Sequence, residues 1–236
     1  MSKKKSDIHD FEKPSITVDC VVMGYDLKEL KILLVNRKKK PFKEAWALPG
    51  GFVDVEETFE QTVSRILVIK TGLTDLFLEQ LYSFNALERD PRGRVISVAY
   101  FALVNPRNYQ LVNGLANNDT QWFSYAELPS DLAFDHGDII KVAHERLQNK
   151  LRYQPIGFNL LDKTFTLPEL QRLYETILDK TIDRRNFRKK ILELGIIKST
   201  GERCEGTPNR QPDIYAFDKV RYDVLLKEGM KVGLDF

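Results

Sequence analysis

The sequence predicts an α+β chain in two parts. Strands and helices alternate as far as Leu151. The segment Tyr153-Gln-Pro-Ile-Gly-Phe-Asn159 then interrupts the pattern with a proline and a glycine, and beyond it two short helices are followed by two strands. The first order suits an α/β/α sandwich, and helix, turn, helix, β-hairpin is the order of a winged helix-turn-helix.

Ser15–Tyr25 reads as a strand because Ile16, Val18, Cys20 and Val22 alternate with residues of the other face. Asp26-Leu-Lys-Glu29 is a turn and Leu30–Arg37 the returning strand of a hairpin. Trp46-Ala-Leu-Pro-Gly-Gly-Phe52 reads as a strand end followed by a glycine turn, where the missing side chain lets the backbone approach a ligand. Glu57–Lys70 is a helix, with Phe59, Val63, Ile66, Leu67 and Lys70 near helical spacing and Gly72 as its stop. Phe77–Leu87 and Arg94–Val104 are longer strands, Thr120–Tyr125 another, and Tyr125–Leu128 a short turn. Asp135–Leu151 is a helix that turns Ile139, Val142, Ala143 and Leu147 inward.

The break at 153–159 sets the expected organisation: a disordered basic tail over 1–12, the sandwich over 13–152 and a second domain over 153–236. In that domain Thr166 caps a helix Leu167–Leu178, with Pro168 and Glu169 in its permissive first turn. Asp183 caps a second helix, Arg184–Leu194, which ends at Gly195. Ile196–Thr200 and Asp213–Phe217 are strands joined by a polar loop. The first helix of a winged domain must come from the end of the sandwich or lie around Tyr153–Leu161.

The 236 residues are 42% hydrophobic, enough for a core and too much for a disordered chain. No run of about 18 apolar residues occurs, so no transmembrane helix and no membrane partner are expected. Met1–Ser6 is charged with no apolar stretch behind it, which argues against a secretion signal. Cys20 and Cys204 lack metal-ligand spacing, and Cys20 suits a small core position. A reducing, cytoplasmic location fits this usage. The net charge of +2 is unevenly spread: within 180–203 eight basic residues face three acidic ones. That excess points to a polyanionic partner.

One motif carries chemistry. Gly51, Glu57, Arg65, Leu67, Gly72 and Leu73 fall on the register of a Nudix box, yet the three glutamates expected after the arginine are Ile66, Ile69 and Lys70. Nudix hydrolases hold Mg²⁺ with carboxylates on one helical turn, and the metal polarises a diphosphate while activating water. Two isoleucines offer no oxygen, and Lys70 puts a positive charge where the metal belongs. Glu56 and Glu57 nearby do not rebuild the cluster. The expectation is a Nudix-like domain that kept its shape, with no catalytic residue, metal or cofactor.

A ligand pocket remains plausible on the residue types. Candidates are the Gly50-Gly51 turn with Trp46, Arg65 of the box, Arg37 at a strand end, and Phe134 and His136 ahead of the next helix. Arg89-Asp-Pro-Arg-Gly-Arg94 supplies Arg89, Arg92 and Arg94, which can pair with a diphosphate or carboxylate unless the turn is simply solvated. His136 reads as a general base or, more in keeping with a lone histidine, a helix-capping or packing residue.

In the second domain Phe187, Ile191 and Leu194 form the inward stripe of the helix, and Arg184, Arg185, Arg188 and Lys189 point elsewhere. A recognition helix uses its N-terminal residues on base edges, where Arg suits guanine and Asn, here Asn186, suits adenine. Lys189, Lys190 and Lys198 suit phosphates. Thr166 at a helix start, and Arg203 and Arg210 in the wing loop, complete the candidate DNA contacts.

Together these landmarks resemble the NrtR family of Nudix-related transcriptional regulators. The resemblance rests on Thr17-Val-Asp19, Trp46–Phe52, Arg89–Arg94, Ala133-Phe-Asp-His136, Phe165–Gln171 and Asn186-Phe-Arg188. It implies a homodimeric bacterial repressor, commonly of NAD biosynthesis and salvage genes, that binds double-stranded operator DNA and senses ADP-ribose or a related nucleotide. Pro155–Leu161 and Arg185–Lys189 also look like the sibling AraR-type regulators, which makes arabinose the alternative effector. The wing departs from the family, reading Asn209-Arg-Gln-Pro212 in place of its usual Gly-Arg-Pro run. A Nudix hydrolase acting on ADP-ribose is the competing class; Ile69 and Lys70 argue against it, and the basic helix argues for a regulator.

Overall fold

The computed structural model describes residues 12–108, 119–154, 156–204 and 211–228. β1 (Ser15–Tyr25) runs through the middle of a seven-stranded sheet. On one side it pairs antiparallel with β2 (Leu30–Asn36), which carries the short β3 (Trp46–Ala47) and β7 (Thr120–Ser124). On the other side it pairs in parallel with β6 (Val95–Val104), itself antiparallel to β5 (Phe77–Phe84). β4 (Gly50–Phe52) lies antiparallel on the first half of β1, with Gly50 opposite Asp19.

The period of two sorts the core into two layers. Val18, Cys20 and Val22 of β1 and Val98, Tyr100 and Ala102 of β6 face α1 (Phe59–Thr71) through Val63, Ile66 and Leu67. Val21 and Met23, with Ala99, Phe101 and Leu103, face α2 (His136–Tyr153) through Ile139, Ala143 and Leu147. The result is the expected α/β/α sandwich. α1 begins on a Thr58–Gln61 capping box, a Thr-x-x-Gln signal visible in the sequence, and stops at Gly72 with φ 76°.

After a 3₁₀ turn at Ile156–Leu160 come β8 (Thr164–Thr166), α3 (Leu167–Leu178), α4 (Arg184–Glu193), β9 (Ile197–Arg203), β10 (Asp213–Phe217) and α5 (Lys219–Lys227). β10 lies between β8 and β9 in a three-stranded sheet. Helix, turn, helix and wing stand where the sequence predicts them. Phe187 and Ile191 of α4 pack inward, Phe187 edge-on to Tyr174 of α3 with ring centroids 5.7 Å apart. The role of a first helix falls to the last turns of α2 and the 3₁₀ turn. Leu147 and Leu151 share one apolar cluster with Leu160, Phe165, Leu170 and Tyr174, and Gln148 Nε2 donates to the Ile177 carbonyl at 2.8 Å. The two parts therefore share a core.

Several bounds differ from expectation for local reasons. The strand expected to reach Leu87 stops at Phe84, because Arg94 Nη1 takes the carbonyls of Asn85 (2.7 Å) and Ala86 (3.3 Å) and closes a turn there. β9 extends past Thr200 to Arg203, through Gly201 at φ 81°. β3, β4 and β8 have two or three residues each, too few for a period to register. α5 carries a signal that could have found it: Asp218 Oδ1 accepts from the Arg221 amide at 3.0 Å. The tail residues 1–11 lie outside the described residues, as do 205–210 of the wing loop. Among the described residues no helix is long and apolar enough to cross a membrane.

Candidate ligand pocket and nucleic-acid interface

A cavity of about 590 Å³ opens where β1, β4, the start of α2 and the loop after β2 meet. Its floor needs glycine. A Cβ on Gly50 would lie 1.9 Å from Asp19 Oδ1, and one on Gly51 2.9 Å from the Ile66 side chain. Beneath them is a closed polar network. Asp19 accepts from the Ser97 hydroxyl at 2.6 Å and from Arg89 at 3.3 Å, and Arg89 also grips Asp135 bidentately at 2.7 and 2.9 Å. Burial opposes ionisation of Asp19, but its electrostatic and hydrogen-bond contact with His136, then the Ser97 hydroxyl and last the charge of Arg89, hold its carboxyl well below the usual range.

His136 is a structural member of this network. Its Nδ1 accepts from the Leu48 amide at 2.8 Å, which leaves the proton on Nε2, 3.5 Å from Asp19 Oδ1. Arg89 touches the cavity wall but is buried and paired with two carboxylates, a strut between β1 and the start of α2.

The cations that face the open space are others. Arg37 donates Nε to the Pro41 carbonyl at 2.9 Å and lies 4.7 Å above the Phe134 ring. Arg92 is held by Asp90 at 2.7 and 2.9 Å, with its guanidinium 5.2 Å from the ring of Phe52 and 5.9 Å from that of Phe134. Lys38, Lys39 and Lys40 line the mouth. The lysine run and Phe52 joined the site without being singled out in the sequence. Phe134 sits at φ 56°, a left-handed conformation uncommon for a bulky residue, and so turns its ring toward the cavity.

Three expected pocket residues are off the lining. Trp46 packs edge-on to Phe123 at 4.9 Å. Arg65 is clamped by Glu57 through two bonds of 2.6 Å, and Glu57 also accepts from Thr62 Oγ1 at 2.8 Å. Arg94 holds the carbonyls of its own turn.

The divalent cation implied by a Nudix box does not fit this helix. Ile66 packs under Gly51, Ile69 is half-buried, and Glu57 is committed to Arg65. Lys70 reaches across to donate Nζ to the Gly50 carbonyl. Among the described residues no three His, Cys, Asp or Glu side chains gather as a metal site.

On the winged domain, Arg184, Arg185, Asn186, Arg188 and Lys189 are exposed along α4, and Lys190 is half-buried. Asp183 caps the helix, its Oδ1 accepting from the Asn186 amide at 2.8 Å. The first turn carries Arg184 and Arg185 and no acid, although the helix dipole disfavours cations there. Arg184, Arg185 and Arg188 form no ion pair with other described residues, and Lys189 only a 3.9 Å contact with Glu193. Lys198 is 4.0 Å from Asp218 and Arg203 3.4 Å from Asp213, both on the exposed wing. A groove lined by Gln171, Arg184, Arg188 and Gln211 separates α3, α4 and the wing. Thr166 is occupied: its Oγ1 accepts from the Glu169 amide at 3.4 Å, and its own amide donates to Glu169 at 2.7 Å. Arg210 lies outside the described residues.

Comparison with known proteins matches both parts. Residues 157–217 match the family described as the NrtR DNA-binding winged helix domain, and residues 13–143 that described as the NUDIX domain. The chain is 38% identical to the ADPR responsive transcriptional repressor NtrR of Acinetobacter baylyi over 91% of its own length and 86% of the relative's. The crystal structure of Shewanella oneidensis NrtR complexed with a 27mer DNA superposes with a TM-score of 0.77 at 35% identity, covering 88% of this chain and 95% of that one. The NUDIX domain of the same NrtR, complexed with ADP ribose, superposes with a TM-score of 0.53 at 40% identity, covering 60% and 94%.

Proposed function

This chain belongs to the NrtR family, and on that premise we propose that it is a transcriptional repressor that binds operator DNA through α4 and responds to ADP-ribose held in the sandwich pocket. The observation that carries the reading is the placement of α2. Its start is bound into the pocket wall, Asp135 on Arg89 and His136 on Asp19. Its end packs under α3 of the DNA-binding part, Gln148 on Ile177. A ligand that shifts the first contact has a rigid element through which to bias the second.

The pocket chemistry favours a nucleoside diphosphate sugar over a free sugar. Its volume is within the usual range for small-molecule sites, and its open face offers the guanidinium groups of Arg37 and Arg92 and the aromatic rings of Phe52 and Phe134. Diphosphate pairs with the former and a base stacks on the latter. Arabinose carries no charge that would call for them. With Ile66, Ile69 and Lys70 in the box, the pocket binds without hydrolysing. The protein acts as a homodimer on a palindromic site, and its targets are genes of NAD biosynthesis and salvage.

Thermal unfolding with ADP-ribose, NAD and arabinose tests the effector. A ligand at about 100 times its Kd adds roughly 2.7 kcal/mol. Stabilisation by arabinose and none by ADP-ribose would overturn the assignment. AMP release from ADP-ribose with Mg²⁺ at about 1 s⁻¹ or faster would show an enzyme instead.

A further inference from the structure

We propose that the Lys70 ammonium stands in for the divalent cation of a Nudix site, so that this pocket holds a diphosphate without metal. The inference rests on the effector reading above, because it concerns how the same site takes its ligand.

Positions 66, 69 and 70 lie on one face of α1, turned toward β4. Glutamates there would place three negative charges under the glycine turn and leave the phosphates to be reached through a bound cation. In this chain Ile66 closes the space beneath Gly51 with hydrocarbon, and Lys70 delivers a positive charge directly. The sign of the site is inverted, and the inversion suits an anion with no ion between.

The surroundings of Lys70 agree. Its side chain lines the same cavity as Arg37 and Arg92, with Nζ anchored on the Gly50 carbonyl. A carbonyl satisfies one of three ammonium protons and leaves the charge uncompensated. Among the described residues no carboxylate lies within ion-pair distance of Nζ; Asp19, whose charge acts on it from farther off, is already spent on Arg89 and Ser97. A half-buried ammonium without a counterion is costly unless something supplies one. Burial does push the Lys70 pKa down, opposed by Asp19 and reinforced by Arg37. A phosphate oxygen between Lys70, Arg37 and Arg92 would relieve both the desolvation and the mutual repulsion.

The test is calorimetric titration of the full chain with ADP-ribose, and separately with inorganic pyrophosphate, each in EDTA and in Mg²⁺. The expected result is equal affinity for ADP-ribose in both buffers. Lys70→Met should weaken it in EDTA by about 10-fold or more, the worth of one charge-assisted hydrogen bond, and Lys70→Arg should restore most of that loss. Unliganded melting temperatures establish that the variants are folded. Binding seen only with Mg²⁺, or undiminished in Lys70→Met, overturns the inference and leaves the effector reading standing. No binding of either compound in either buffer overturns both.

Discussion

In the sandwich the arginines around the cavity are tied into the protein, and along α4 of the winged domain they are not. Arg89 is locked between Asp19 and Asp135, Arg65 on Glu57, and Arg94 on two carbonyls, while Arg37 and Arg92 present one open side after being fixed from behind. On α4, Arg184, Arg185 and Arg188 stand exposed, with neutralising charge left to come from elsewhere. On the proposed function, the difference follows from the ligands. A small molecule in a closed site needs groups held to fractions of an ångström, so the fold supplies their partners. A duplex brings its own dense negative charge and releases counterions on contact, so the protein need only leave its cations free.

The strongest way to break this comparison is at Arg89. Arg89→Ala leaves Asp19 buried without its cation and should cost about 3–5 kcal/mol, read by denaturant unfolding. The pH dependence carries a sign. Asp19 is ionised in the folded chain well below its usual range, so its contribution is complete above the unfolded value of about 3.9 and is lost as pH falls below it. Removing Arg89 should lessen that loss only in part, because the contacts of His136 and Ser97 with Asp19 remain. Unchanged stability at neutral pH would mean that Arg89 is no strut.

Phe187→Ala should be nearly as severe, at about 3–5 kcal/mol, because the ring is 1% exposed and packed on Tyr174. It should abolish DNA binding by loosening the second domain, with the loss matched in the unfolding curve. Arg185→Ala and Arg188→Ala should do the reverse. Stability stays within about 0.5 kcal/mol. Operator affinity falls by roughly 1–3 kcal/mol each, with relaxed base preference in a fluorescence-anisotropy series. Tight binding by both variants would show that another element reads the bases. Smallest is Lys189→Ala, which should weaken all sequences alike and lower the slope of log affinity against log salt by about one unit.

The sequence made the skeleton legible because long elements announce themselves through period and caps. β1, α3 and β10 have the bounds expected from alternation, from Thr166 with Pro168, and from the run Asp213–Phe217. β4 and β8 did not, since pairing to β1 or β10 makes them strands and nothing in their own residues does. The pocket was legible by residue type but not by partner. Arg89 and Arg92 look alike in Arg89-Asp-Pro-Arg-Gly-Arg94, and only the fold shows that one is enclosed and the other faces the cavity. Trp46 reads as a ligand contact because it is an aromatic beside a glycine turn, while in the fold β7 brings Phe123 over it and it lies off the cavity lining. Lys38, Lys39 and Lys40 drew no reading from the sequence, and it is the loop after β2 that brings them to the cavity lining.

The central claim is that the two charged surfaces are coupled, and equilibrium binding of operator duplex with and without saturating ADP-ribose tests it most directly. Coupling free energies of this kind are commonly about 1–3 kcal/mol, so operator affinity should change by about 5-fold or more, and ADP-ribose affinity should change by the same factor when operator is saturating. An operator affinity that stays the same at every ADP-ribose concentration, in a protein shown to bind both, would contradict the account.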